Sequence, residues 1–122
     1  MTPTSSPCVF CDIATEKAPA TIVRRWADAL ALVPLNPITE GHLLVIPTQH
    51  ITNAATSPLV TGLMAMHAAS LLAESGRQAN LITSVGPFAT QTVFHLHWHL
   101  VPRTADDELT LPWTGQQTRS GS

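Results

Sequence analysis

Charge is scarce in this sequence. Of its 122 residues, 11% are Asp, Glu, Lys or Arg and 44% are hydrophobic, and the net charge is −2. The six Lys and Arg are scattered, so no basic footprint marks a nucleic-acid backbone as a partner. No apolar run reaches the ~18 residues that a membrane span needs. The opening MTPTSSP has no positive region followed by an apolar core. No signal peptide is expected from it, and the expected location is the cytoplasm. Linkers, repeats and low-complexity segments are missing between the two ends. Only two cysteines occur. In a reducing compartment they are metal ligands or free thiols rather than a structural disulfide. So little charge on so apolar a chain implies that a partner covers part of its surface, with a second copy of the chain the first candidate.

What is present reads as one domain over residues 8–114, between polar tails at 1–7 and 115–122. Strands are expected at Thr21–Arg24, Ala29–Leu35, His42–Pro47, Ala79–Val85 and Val93–Val101. Asn36 to Gly41 is a turn region. Ser57 followed by Pro58 predicts a helix start, and Gly76 a stop after Ser75. Within that helix, Leu59, Leu63, Met66 and Leu71 recur at helical spacing. The order of strands, one long helix and further strands predicts an α+β domain: an antiparallel sheet backed by a helix.

The most regular pattern is Phe94–Arg103, FHLHWHLVPR. In a strand, alternate residues share a face. Phe94, Leu96, Trp98 and Leu100 would point to a core, and His95, His97 and His99 the other way. Core packing does not ask for a row of imidazoles. Neighbouring members of that row lie about 7 Å apart at the backbone and the outer two about 13 Å apart. Zinc needs each ligand nitrogen at about 2 Å. Three histidines on one regular strand therefore do not share an ion, and they are expected to do different work.

The other polar candidates each carry more than one reading. Cys8-Val9-Phe10-Cys11 is a C-x2-C pair: half of a zinc site, two buried thiols, or a redox pair. The redox reading is the weakest, because no strand precedes the motif and no helix is evident within it. His50, after the third strand, is a metal ligand or an exposed loop residue. His42 opens that apolar strand and marks a site at its end, or caps it. His67 lies among apolar residues mid-helix and reads as structural or surface.

Together these segments resemble the histidine-triad (HIT) superfamily of nucleotide hydrolases and transferases. The signature His-φ-His-φ-His-φ-φ, with φ apolar, is matched by His95 to Val101. CVFCDI, NPITEGHLLVIPTQHI and QTVFHLHWHLVPR resemble the bacterial members, so the likeness covers about residues 7–103. The resemblance implies a five-stranded antiparallel sheet with one long helix, in a homodimer. It implies attack on the α-phosphate of nucleoside phosphoramidates or (di)nucleoside polyphosphates, purine nucleotides among them. His97 would be the nucleophile and would carry a transient nucleotidyl group. His99 would support it and contact the phosphate, and His42 would lie behind. Gln91, Thr92 and the main chain through Val93 would face the phosphate or leaving group. The resemblance also implies a structural zinc ion on Cys8, Cys11, His50 and His95.

Three positions depart from the family pattern. Pro34 stands where relatives place Asn or Asp for the ribose hydroxyls. Ser84 stands where they often have Asn or Gln, and Thr90 where many have Gly. Asn36, two residues after Pro34 and on the same face of a continuing strand, is the candidate replacement for the ribose contact. A nucleotide-binding regulatory module with little turnover is the alternative to an enzyme. A metalloenzyme with an exposed ion on the imidazole row is the third reading, opposed by the strand geometry and the C-x2-C pair.

Overall fold

The computed structural model describes residues 7–114; the expected tails at 1–7 and 115–122 lie, but for Pro7, outside the described residues. Helix α1 (Val9–Ala14) precedes strands β1 (Ile22–Arg25), β2 (Ala29–Leu32) and β3 (Leu43–Pro47). Helix α2 (Pro58–Ser75) follows, then β4 (Ala79–Ile82), a 3-10 turn at Pro87–Ala89 and β5 (Trp98–Pro102). The five strands form one antiparallel sheet in the order β1-β2-β3-β5-β4. This is the α+β architecture expected from the sequence.

The ends of α2 follow from their chemistry. Ser57 accepts the Val60 N–H through its hydroxyl, Pro58 fills the first turn, and Gly76 takes a left-handed φ of 67° while its N–H reaches Leu72 O. Of the four residues read at helical spacing in α2, only Leu71 packs toward the sheet. Met64 and Ala68 are buried, with Val60 and Leu71 beside them. Leu59 and Met66 are 73% and 65% exposed, and Leu63 is also open. The helix is apolar almost all round, so hydropathy alone does not choose a face.

Alternation in β2 and β3 then splits the core in two. Ala29, Ala31 and Val45 meet α2, Leu96 and Ile51. Leu30, Leu32, Leu44 and Ile46 meet Phe10 and Ile13 of α1 on the opposite face. Helix α1 was not expected. Its cap is Cys8, whose sulfur accepts the Cys11 N–H at 3.4 Å. A six-residue helix is too short to show periodicity, and a thiol is not among the usual capping groups. Past β5, Arg103 grips Asp107 with Nε and Nη2, Asn80 Oδ1 with Nη1, and Leu109 O with Nη2. That network fixes the segment after the sheet.

Three expected strands come out shorter, among them β4, which stops at Ile82 and not Val85. β2 stops at Leu32, not Leu35, so Asn36 does not share a strand face with Pro34; it lies in an exposed bend. β5 begins only at Trp98. Residues 91–97 are irregular, and Phe94 is half exposed rather than part of the core. Leu96 and Leu100 are buried as predicted, and the Trp98 indole donates to Thr61 O of α2.

Candidate active site and metal centre

The irregular segment is suspended by specific bonds in place of a ladder. Leu96 N–H donates to Ile51 O at 2.6 Å. Gln91 is buried and uses its whole amide: Oε1 accepts the Gly86 N–H, and Nε2 donates to Thr52 O and Val93 O. Gln91 was predicted to face the phosphate or leaving group. Its hydrogens are committed to the loop instead, and it acts as a latch between 86–93 and the chain after β3.

These bonds set the imidazole tautomers, because a backbone carbonyl only accepts and a backbone N–H only donates. His95 is fully buried and its Nε2–H donates to Pro47 O at 2.9 Å. Its Nδ1 is thereby left with a lone pair, 3.4 Å from Cys8 Sγ and 3.5 Å from Cys11 Sγ. His97 is the reverse: Nδ1–H donates to His95 O at 2.8 Å, so Nε2 carries the lone pair. His42 is buried and accepts the Ile38 N–H at Nδ1, which leaves a proton on Nε2. That Nε2–H donates to His99 Nδ1 at 3.0 Å, and the His99 proton therefore sits on Nε2. The ring centres of His97 and His99 are 5.1 Å apart, and Phe10 makes edge-to-face contacts with both His95 and His97.

One nucleophilic nitrogen and one N–H donor are thus held side by side. No carboxylate is hydrogen-bonded to these four rings among the described residues. Burial lowers the proton affinity of His97 against the opposing bond to His95 O. Burial also lowers that of His42. Burial first, then neighbouring His97 and His42, brings His99 down to about 4. All three rings are neutral near pH 7, and a neutral imidazole is the nucleophilic form.

The second cluster joins Cys8, Cys11, His50 and His95, whose ligand atoms all lie within 4.8 Å of one another. Cys11 Sγ is 3.2 Å from His50 Nδ1. Tetrahedral zinc with its usual bond lengths would set a sulfur and a nitrogen about 3.6 Å apart. The observed separations of 3.2, 3.4 and 3.5 Å match that edge. The donor set and the free lone pair on His95 fit a closed four-ligand metal site. Burial, then hydrogen bonding and charge from Cys8, raise the Cys11 thiol to about 11; an ion there must displace that proton. A cleft of about 1110 Å³ opens onto the cluster, lined by Cys8, Cys11 and His50 and by Thr52, Thr92 and Phe94 among others. His42, His97 and His99 do not line it.

Of the remaining predicted residues, Thr92 is exposed, Val93 half-buried, and Ser84 half-buried just beyond β4. Thr90 is exposed in a left-handed conformation, its hydroxyl turned back on Ala89 O. Asn36 stands two residues before Ile38, the donor to His42. His67 binds Asp28 and stacks on Trp26, in keeping with the structural or surface reading. Sequence reasoning missed the contacts of Phe10, Ile38 and Thr83. Only Phe10 carries a hint, since it stands between the two cysteines.

Comparison with known proteins agrees with this geometry. The HIT domain family matches residues 15–106. An uncharacterized HIT-like protein of Mycobacterium tuberculosis is 32% identical over 111 residues, covering 86% of this chain and 77% of that protein. The adenosine 5'-monophosphoramidase of Saccharomyces cerevisiae is 30% identical over 114 residues, covering 91% of this chain and 72% of the relative. A zinc-bound histidine triad family protein from Mycobacterium smegmatis superposes with a TM-score of 0.72 at 31% identity, over 92% of this chain and 88% of that one. By family match, sequence identity and fold, this chain belongs to the HIT domain family.

Proposed function

We propose that the protein is a nucleotide hydrolase or nucleotidyl transferase that works through a covalent intermediate on His97. The observation that carries this reading is the hydrogen-bond pattern: His97 Nε2 is the free lone pair, and His99 Nε2–H is a donor beside it. His97 Nε2 would attack the α-phosphorus of a phosphoramidate or polyphosphate. A nitrogen–phosphorus bond forms as the bond to the leaving group breaks, and the leaving group takes a proton from solvent. Water then attacks the same phosphorus and releases a proton, His97 and the nucleoside monophosphate; another acceptor in place of water makes the reaction a transfer. The His99 N–H would hold a phosphate oxygen as charge builds, with His42 keeping that donor in place. A purine substrate is supported by the phosphoramidase relative.

Cys8, Cys11, His50 and His95 would hold a structural zinc ion, whose chemistry here is to fix ligands rather than to react. The ligand set ties α1 to the chain that bears His97. The two free thiols suit a reducing cytoplasm. The exposed Leu59, Leu63 and Met66 of α2 support a homodimer that covers this face. A Met66→Glu variant measured by light scattering should shift toward monomer; an unchanged dimer would place the interface elsewhere.

The test of the reaction is mass spectrometry after brief exposure to a panel of nucleotides. A nucleotidyl adduct on His97 is expected; its absence, with turnover retained in His97→Ala, would overturn the mechanism. A binding module with little turnover is favoured by two observations: Pro34 offers no side-chain hydrogen bond, and the Gln91 amide is committed to the loop. Nucleotide affinity without turnover in the wild type would establish that reading. An Asn36→Ala variant with unchanged KM would remove Asn36 as the ribose contact.

A further inference from the structure

The main chain at His97 loses its ladder at the point where its aim matters. β5 begins at Trp98, and its pairing with β4 runs from Ala79↔Pro102 to Ile82↔His99. Extending that register by two residues would set Ser84 against His97, but β4 ends at Ile82. A side chain takes over. The half-buried Thr83, first residue past β4, donates its hydroxyl to His97 O at 2.8 Å.

We propose that Thr83 is a positioning residue for His97, and that its hydroxyl, by holding the His97 carbonyl, sets the direction of the Nε2 lone pair. Two tethers act on the one residue. The ring is tied through Nδ1 to His95 O, and the main chain is tied through its own carbonyl to Thr83. The Phe10 ring packs edge-to-face with the His97 imidazole, ring centres 5.2 Å apart. The chain before His97 is held by Leu96 N–H on Ile51 O and by His95 on Pro47 O, and the Thr83 bond is the one that holds the His97 carbonyl itself. With both tethers, the ring and the peptide that carries it are fixed together. In-line attack on phosphorus depends steeply on such placement: a shift of about 1 Å can cost on the order of a hundredfold. Thr83 need not touch substrate for this, and the purely architectural alternative is a hydroxyl that only satisfies a half-buried carbonyl.

This inference rests on His97 being the nucleophile, so the experiment separates the two. Full-length zinc-loaded wild type, Thr83→Val and Thr83→Ser are compared for kcat and KM on an adenosine phosphoramidate, His97 adduct formation and melting temperature. Valine keeps the branched shape and removes the donor; serine keeps the donor. The expected result is a kcat for Thr83→Val lower by on the order of ten- to a hundredfold, with KM little changed and most of the loss restored in Thr83→Ser. Wild-type kcat in Thr83→Val would overturn the proposal. So would a lowered melting temperature with no change in kcat, or equal damage by serine and valine. If Thr83→Val does not fold, Thr83→Ala removes the same donor and is read by the same criteria. A wild type that turns over without a His97 adduct removes the nucleophile and the positioning role together. A wild type with the adduct beside an unimpaired Thr83→Val removes the positioning role alone.

Discussion

Residues 91–97 and residues 98–102 share one hydropathy pattern and have different mechanics. The second stretch is β5, laddered to β3 and β4, with Leu100 and Val101 in the core. The first is held by single bonds from unrelated places: Pro47 O, Ile51 O, Thr52 O and the Thr83 hydroxyl. A ladder fixes residues collectively and gives neighbouring imidazoles equivalent surroundings. Single bonds fix them one by one and allow opposite tautomers at His95 and His97. The contrast shows what the irregular stretch permits: two histidines two residues apart present different free nitrogens, which a regular strand would not supply.

His97→Ala tests the irregular half most severely. Turnover should fall by orders of magnitude to background while the melting temperature changes little, since the half-buried ring fills no large core volume; steady-state kinetics beside a thermal melt decide it. Next in size, Cys8→Ser or Cys11→Ser should lower bound zinc below one per chain and lower the melting temperature, with β5 unaffected in itself. Metal analysis of the purified variants is the check, and full zinc in both would refute the four-ligand site.

Gln91→Ala should cost about 1–3 kcal/mol, because it orphans the carbonyls of Thr52 and Val93 and the N–H of Gly86. A shift in urea midpoint with unchanged slope would measure it. In the regular half, Trp98→Phe removes the donor to Thr61 O and some of the ring packed on the core, so about 1–3 kcal/mol is expected and kcat should hold. A larger catalytic than structural effect there would erase the distinction between the halves.

The smallest effect concerns pH. His99 is held down to about 4 by burial, then by His97 and His42, whereas its ring in the unfolded chain titrates near its ordinary 6.5. Between those values the unfolded chain binds the extra proton. Its contribution to stability is therefore whole above about pH 6.5 and is lost as pH falls toward 4. The His99 ring resonances in the folded protein should barely move between pH 7 and about 5.5. A midpoint near 6.5 would contradict the buried relay.

Much of this was legible beforehand, for identifiable reasons. Ser57, Pro58 and Gly76 mark α2 because capping and φ are local matters. Cys8, Cys11, His50 and His95 meet as the family resemblance implied. What was not legible depended on what a residue meets across the fold. Helix α1 starts on a thiol cap that sequence rules do not expect. The packed side of α2 is set by the fit of Met64 and Ala68 against the sheet, not by hydropathy. Gln91 turned inward because three main-chain groups needed partners. Asn36 left the strand because β2 ends at Leu32.

The metal cluster also has a temporal meaning. Cys8 and His95 are 87 positions apart, so an ion that links them closes most of the chain into a ring. Closing a loop of that length costs about 4 kcal/mol of chain entropy before any constant term. Until β3 and β5 have brought the ends together, that cost opposes closure. Assembly of the cluster is therefore expected late in folding, after the segment that carries His95 has been brought to Cys8.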